Sequence, residues 1–219
     1  MIYASNQNQP AKAVEHKELE PFMPKKALRQ ALKLDDSMSL EAHEVSFNLK
    51  RPYNKRYGFS LVTAETLGAL CTIVKDKKVL DAGSGTGFLA QALADRGCAA
   101  SITAAEWDGK KGYGFERIIR QDFAGDATTL LPGEFDVVIL CWPNYDTPFA
   151  ANVANAMQKG QTLIYLGEGR FGCTANEQFF DALDSGKWSY IEKATETLNA
   201  SHVNFQGLHD RWRVLKKID

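Results

Sequence analysis

The run Val79-Leu80-Asp81-Ala82-Gly83-Ser84-Gly85-Thr86-Gly87-Phe88 constrains this chain more than any other stretch of it. Lys78 to Asp81 reads as a short strand, and Gly83 to Gly87 as a tight turn. Phe88 to Arg96 reads as a helix with Leu89 and Leu93 on one face and Gly97 as its stop. Glycine permits positive φ and lets a ligand approach the backbone closely. The helix start offers N–H groups with no intrahelical partner. A strand that runs straight into such a turn and helix belongs in a parallel sheet, where ligands bind outside the carboxyl ends of the strands.

The rest of the chain fits that frame. Strands are predicted at Ser101 to Glu106, Glu116 to Asp122, Phe135 to Cys141 and Thr162 to Leu166, with further candidates at Trp188 to Ala194 and Arg211 to Lys216. The apolar run Val137 to Leu140 is what a strand buried on both faces requires. Helices are predicted between them: Ala64 to Val74; a helix capped by Thr147 with Pro148 at its first position; and one opened by a Thr174-x-x-Glu177 capping box. Upstream, residues 1 to about 20 are polar, rich in Gln and Asn, and read as mobile. A helix is predicted from Pro24 to Leu34 and a second between Ser39 and Leu49. Lys50 to Tyr57, basic and aromatic, reads as a linker or cap. The expected fold class is α/β: a seven-stranded, mostly parallel, doubly wound Rossmann-like sheet with helices on both faces and a small N-terminal helical extension.

Composition limits the partners. With 219 residues, 44% hydrophobic and 24% charged, the chain resembles a soluble domain with an appendage. A net charge of −1 gives no overall electrostatic footprint for nucleic acid. Cys71, Cys98, Cys141 and Cys173 show no CxxC spacing, so no metal is expected, and free thiols in a reducing, cytoplasmic setting are the expected state. No apolar run is long enough to span a membrane.

The glycine spacing separates two ligand classes. Dinucleotide sites use GxGxxG, which seats a pyrophosphate on the helix. Here the glycines alternate, Phe88 follows them, and Asp81 precedes the first by two residues. An acid beside the loop suits a cationic amino group better than a pyrophosphate. This Asp-x-Gly-x-Gly-x-Gly segment resembles the nucleotide motif of class I methyltransferases that depend on S-adenosylmethionine (SAM). The resemblance runs from about Tyr57 to Lys217. With Tyr57-Gly-Phe, Leu-Cys-Trp-Pro and a late His-Asp pair, the chain also looks like a microbial methyltransferase-like group. The resemblance implies SAM as cofactor, S-adenosylhomocysteine as product, residues 57–219 as the SAM-binding domain, and residues 1–56 as an extension able to act as a lid.

On that resemblance Asp81, Gly83, Ser84, Gly85 and Gly87 form the cofactor loop. Glu106, nineteen residues past Gly87, stands where an acid holds the ribose hydroxyls. Asp122, at the end of the predicted third strand, is preferred as the reader of the adenine amino group, with Asp126 as the alternative. Trp107 and Phe123 are candidates to stack on adenine, and Cys141 closes the strand beside the loop. The fourth strand runs into Trp142-Pro143-Asn144-Tyr145, where amino-group methyltransferases of this class carry Asn/Asp-Pro-Pro-Tyr. Trp142 replaces the usual acceptor, so the turn is expected to line a substrate through stacking or cation–π contact. Tyr145, Glu168 and His209 are the candidate catalytic groups. A small molecule is the expected acceptor. A nucleic acid reached through the Lys50–Arg56 segment is the alternative, and a SAM-binding module without turnover is the alternative of another class. No oligomeric state is implied.

Overall fold

In a computed structural model, which describes residues 18–36, 39–107 and 113–219, the run Val137–Cys141 is the central strand of a seven-stranded sheet. The strands are β1 (Lys78–Ala82), β2 (Ser101–Glu106), β3 (Phe123–Ala124), β4 (Val137–Cys141), β5 (Thr162–Gly167), β6 (Trp188–Tyr190) and β7 (Arg211–Lys217). Their order is β3-β2-β1-β4-β5-β7-β6. β3, β2, β1, β4 and β5 pair in parallel, while β7 runs antiparallel to both β5 and β6. The chain reverses its direction of winding between β1 and β4, where Asp81 lies level with Ile139. That reversal is the switch point at which doubly wound sheets form a crevice.

Alternation along β4 builds two cores. Val138 and Leu140 face one side, with Leu80, Leu163, Tyr165 and the helices α5 (Phe149–Ala156) and α6 (Glu177–Asp184). Val137 and Ile139 face the other, with Ile164, Trp212, Val214 and the helices α3 (Ala64–Ile73), α4 (Phe88–Asp95) and α7 (Glu192–Ser201). A fully apolar strand is therefore covered on both faces, as its sequence demands.

A third cluster joins the N-terminal helices α1 (Lys25–Ala31) and α2 (Leu40–Tyr57) to the segment before β7: Leu28, Leu32, Leu49, Tyr53 and Leu61 meet Val203 and Phe205. Here the structure corrects the sequence reading. Lys50 to Tyr57 is the second half of α2, not a linker. Ser39 caps the helix by accepting from Ala42 N–H, and Ala42, Ser46, Leu49 and Tyr53 make one buried stripe through the basic residues. Lys55 and Arg56 in the last turn suit the helix dipole.

Other boundaries shift for local reasons. Glu116 to Asp122 does not form a strand, and β3 is only Phe123–Ala124. Ile119 and Arg120 N–H instead donate to the Thr86 carbonyl, at 2.7 and 3.1 Å, so this run crosses the glycine turn rather than extending the sheet. The predicted strand Trp188 to Ala194 stops at Tyr190, and α7 follows, its buried Leu198 and Ser201 sharing a helical face. Asn176, not Thr174, caps α6, because the Thr174 hydroxyl is spent on Tyr165 and on Glu168 N–H. Pro148, one residue past the predicted Thr147, takes the cap position of α5. Cys71 and Cys98 are joined as a disulfide, against the expectation of free thiols, while Cys141 and Cys173 are free. Residues 1–17, most of the segment read as mobile, lie outside the described residues. Among the described residues no helix is long and apolar enough to cross a membrane.

The close crossing of Arg120 over the turn gives a test. A Cβ on Gly87 (φ +73°) would lie 1.8 Å from the Arg120 carbonyl oxygen, whereas one on Gly97 (φ +59°) would meet nothing within 4 Å. Gly97→Ala is expected to cost about 1–2 kcal/mol for left-handed backbone alone. Gly87→Ala is expected to cost more, because backbone must also move. Equal losses of stability for the two in urea unfolding would refute the crossing.

Candidate functional site

Asp81 is the last residue but one of β1, and Gly83, Gly85 and Gly87 follow with φ of +69°, +58° and +73°. Side chains rarely tolerate these values, so the alternate glycines are the backbone requirement of this turn. Gly83 and Ser84 N–H both donate to the Ala105 carbonyl, at 2.9 and 3.0 Å, which hooks the turn onto the end of β2. The Thr86 hydroxyl donates to the Tyr57 carbonyl, so the last residue of α2 also holds the turn. Glu106 completes the fixture: one carboxylate oxygen accepts from Gly85 N–H at 2.7 Å, the other from Trp107 N–H at 2.9 Å. Each oxygen keeps a free lone-pair direction.

A cavity of about 370 Å³ opens over these strand ends. Asp81, Gly83, Ser84, Gly85, Glu106 and Trp107 line it on one side, and Asp126 beyond β3 extends that side. Cys141, Trp142, Pro143 and Asn144 line it from the end of β4. Its size lies within the range of small-molecule sites.

Asp81 and Ser84 line this cavity, and their Oδ2 and Oγ atoms are buried with no hydrogen-bond partner. Such orphans are uncommon in native proteins and call for a partner. Asp81 is 1% exposed. Burial, then the charge of Glu106, pushes its carboxyl up to about 7, against the opposing effect of the Ala90 amide. The Cys141 thiol is raised well above its ordinary value by burial and by the charge of Asp81.

Several residues singled out from sequence lie elsewhere. Gly87 supports the turn from beneath and does not line the cavity. The Asp122 carboxylate turns back into the sheet, where it accepts from Ala104 N–H at 2.8 Å and Arg120 Nε at 2.7 Å. Of the two acids weighed for adenine, it is Asp126 that faces the cavity, its Oδ1 also accepting from Thr128 N–H. The Phe123 ring packs against Gly125 and the β4–α5 core. Tyr145 is 54% exposed and outside the cavity. Glu168 clips two loops together, accepting from Cys173 N–H at 2.8 Å and His209 N–H at 3.0 Å. Burial raises the Glu168 pKa, but these hydrogen bonds outweigh it and hold the carboxyl below its usual range. His209 is exposed. Glu168 and His209 thus meet through the His209 backbone, but neither they nor Tyr145 line the cavity.

Sequence reasoning missed the remaining wall. Tyr57, Phe59, Tyr113 and Phe115 line the cavity from outside the predicted motif. The signal was the aromatic spacing Tyr57-x-Phe59, which the sequence offers only as part of the resemblance. It also missed a buried polar chain behind Trp142. The Trp142 indole N–H donates to Asp210 Oδ2 at 3.1 Å. That oxygen lies 3.3 Å from His202 Nε2, and His202 Nδ1 accepts from the Trp212 indole at 3.2 Å. Asp210 is the neighbour of the histidine that drew attention in the sequence. Nothing in the sequence marked His202.

The strand order with an antiparallel β7 inserted between β5 and β6 decides the architecture. The fold is the mostly parallel, doubly wound, Rossmann-like sheet that the sequence predicts. No known family profile and no curated protein matches the chain. Among solved structures, an S-adenosylmethionine-dependent methyltransferase from Clostridium acetobutylicum aligns at 12% identity and TM-score 0.49, over 79% of this chain and 99% of its own. A 1,6-didemethyltoxoflavin-N1-methyltransferase from Burkholderia thailandensis aligns at 14% identity and TM-score 0.46, over 91% and 93%. A tRNA methyltransferase from B. subtilis aligns at 13% identity and TM-score 0.45, covering 71% of this chain and 66% of its own length.

Two outcomes follow from the buried acids. The folded chain keeps a proton on Asp81 up to about pH 7, whereas an unfolded chain releases it near pH 4. The native state binds more protons in that interval, so this group lowers stability as pH rises through it. Asp81→Asn is expected to remove the loss, so that Tm at about pH 8 rises above that of the unmodified chain. A variant less stable at both pH 5 and pH 8 would contradict it. Asp210→Ala leaves Trp142 and His202 facing an empty buried site and is expected to cost about 1–3 kcal/mol. Unchanged urea midpoint and unchanged Trp emission would rule the polar chain out as a support.

Proposed function

We propose that the chain is a methyltransferase that binds SAM in this cavity and methylates a small molecule, releasing S-adenosylhomocysteine. The observation that carries the reading is the pair of partnerless buried atoms, Asp81 Oδ2 and Ser84 Oγ, set beside Glu106 at the glycine turn. The donor set fits the cofactor's chemistry. The paired oxygens of Glu106 suit two vicinal ribose hydroxyls, and Asp81 suits an ammonium group. Asp126, which lines the cavity, suits an adenine amino group better than Asp122, whose carboxylate is spent on Ala104 and Arg120. Trp107 offers an exposed ring at the same end. A cationic amine beside Asp81 favours its ionised form and offsets the burial that raises its pKa. When bound, SAM supplies an electrophilic methyl group on a sulfonium.

What the chain's own residues do is position and exclude water. Well-oriented reactants reach effective molarities of ~10⁵ M or more, which is enough to dominate such a transfer. Positioning falls to the turn Trp142-Pro143-Asn144 and the facing aromatic rings, since Tyr145, Glu168 and His209 lie outside the cavity.

A small acceptor is favoured over a nucleic acid by the recessed, aromatic cavity. The basic segment offered for nucleic acid is also partly neutralised: Arg56 is ion-paired with Glu18 and Glu116. Calorimetric titration with S-adenosylhomocysteine tests the cofactor. Binding is expected, and Glu106→Gln should weaken it roughly 10- to 100-fold through lost charge-assisted hydrogen bonds. No binding to the folded chain, or an unaffected variant, would sink the reading. Tight binding with no methylated product from a metabolite extract would instead mark a module without turnover.

A further inference from the structure

Four rings from three separate parts of the chain form one wall of the cavity. Phe59 comes from the connection between α2 and α3, Tyr113 and Phe115 from the run after β2, and Trp142 from the end of β4. Phe59 is their hub. Its centroid lies 6.0 Å from Trp142 at 25°, 6.1 Å from Phe115 and 5.8 Å from Tyr113 at 79°. Tyr113 and Phe115 are themselves 5.6 Å apart.

This wall is held in place rather than loosely collapsed. Trp142 has φ of +52°, a left-handed backbone that a bulky residue adopts only when its surroundings fix it. Its indole is tied to Asp210, which is 3% exposed and paired with buried His202. The electrostatics of the cavity point one way: Asp81, Glu106 and Asp126 line it, and no lysine, arginine or histidine does among the described residues. Ring faces carry negative quadrupole potential, so walls and carboxylates together favour positive charge and disfavour anions.

We propose that the wall around Phe59 binds an organic cation: a small molecule carrying a protonated or alkylated amine, held by cation–π contact with Phe59 and Trp142. The identification of this cation as the methyl acceptor or its product rests on the function proposed above; the binding itself does not. The choice is specific, because an acceptor carrying carboxylate or phosphate would face three carboxylates without a cationic partner among the described lining residues.

The test uses the full chain, with and without saturating S-adenosylhomocysteine, so that the cofactor end is closed in one arm. Benzyltrimethylammonium is titrated against Trp fluorescence and by calorimetry, with phenylacetate as the anionic control and benzyl alcohol as the neutral one. The cation is expected to bind at least tenfold more tightly than either control in both arms. Phe59→Leu, which keeps apolar volume and removes the ring, is expected to weaken it roughly fivefold or more. Affinity for S-adenosylhomocysteine should stay within about twofold of the unmodified chain. Equal binding of phenylacetate or benzyl alcohol, or an unaffected Phe59→Leu chain that retains its far-UV dichroism, would overturn the proposal. Cation binding that S-adenosylhomocysteine abolishes would also overturn it, by placing the cation at Asp81. If the cation binds at Phe59 while the chain does not bind S-adenosylhomocysteine, this inference stands and the cofactor reading falls.

Discussion

The crossing of Ile118–Arg120 over the glycine turn is the contact on which the rest of the site depends. Two N–H groups of that run converge on the Thr86 carbonyl, and the Arg120 carbonyl occupies the space a Gly87 side chain would need. Residues that could have lengthened β3 are therefore diverted. The run before them delivers Phe115 to the cavity, and Asp122 after them is turned onto Ala104. The turn is thus clamped from three sides: by Arg120, by Glu106 from β2, and by the Tyr57 carbonyl from α2.

Asp81 shows a different economy. A carboxyl with its second oxygen unpartnered, buried at the end of a strand and next to another acid, opposes folding above about pH 7. The surrounding sheet is rigid enough to hold it there. Strain of this kind persists where the surroundings over-determine a group's position.

Much of the architecture was legible because β1, β2, β4 and β5 are short apolar runs next to glycine, proline or capping residues, and their periodicity is local. The errors arose where tertiary partners overrode local pattern. The Ile118-Ile119 pair looks like a strand, but its backbone partner is a turn thirty residues earlier. Lys50 to Tyr57 looks like a linker, yet Tyr53 anchors it as helix against Phe205. The glycine-turn side of the cavity could be read from motif spacing, because alternate glycines and the acid ending β2 are fixed by backbone geometry. The aromatic side could not. Phe59, Tyr113 and Trp142 are brought together by three different connections, and Asp210 and His202 meet Trp142 only through the antiparallel insertion of β7. Strand-end position favoured Asp122 over Asp126, but a strand only two residues long leaves Asp122 behind its own start, facing the sheet.

The independence of the two halves of the cavity has an evolutionary consequence. The turn and Glu106 belong to the parallel core, where a substitution disturbs the bonds that hook the turn to β2. The rings come from connections that sit outside the sheet ladder. Exchange of Phe59 or Tyr113 for another residue changes which molecules fit while leaving the hydrogen bonds of Gly83, Ser84 and Gly85 intact. Which molecules the cavity admits can thus change by single substitutions in its connections, with the hydrogen bonds of the turn left in place.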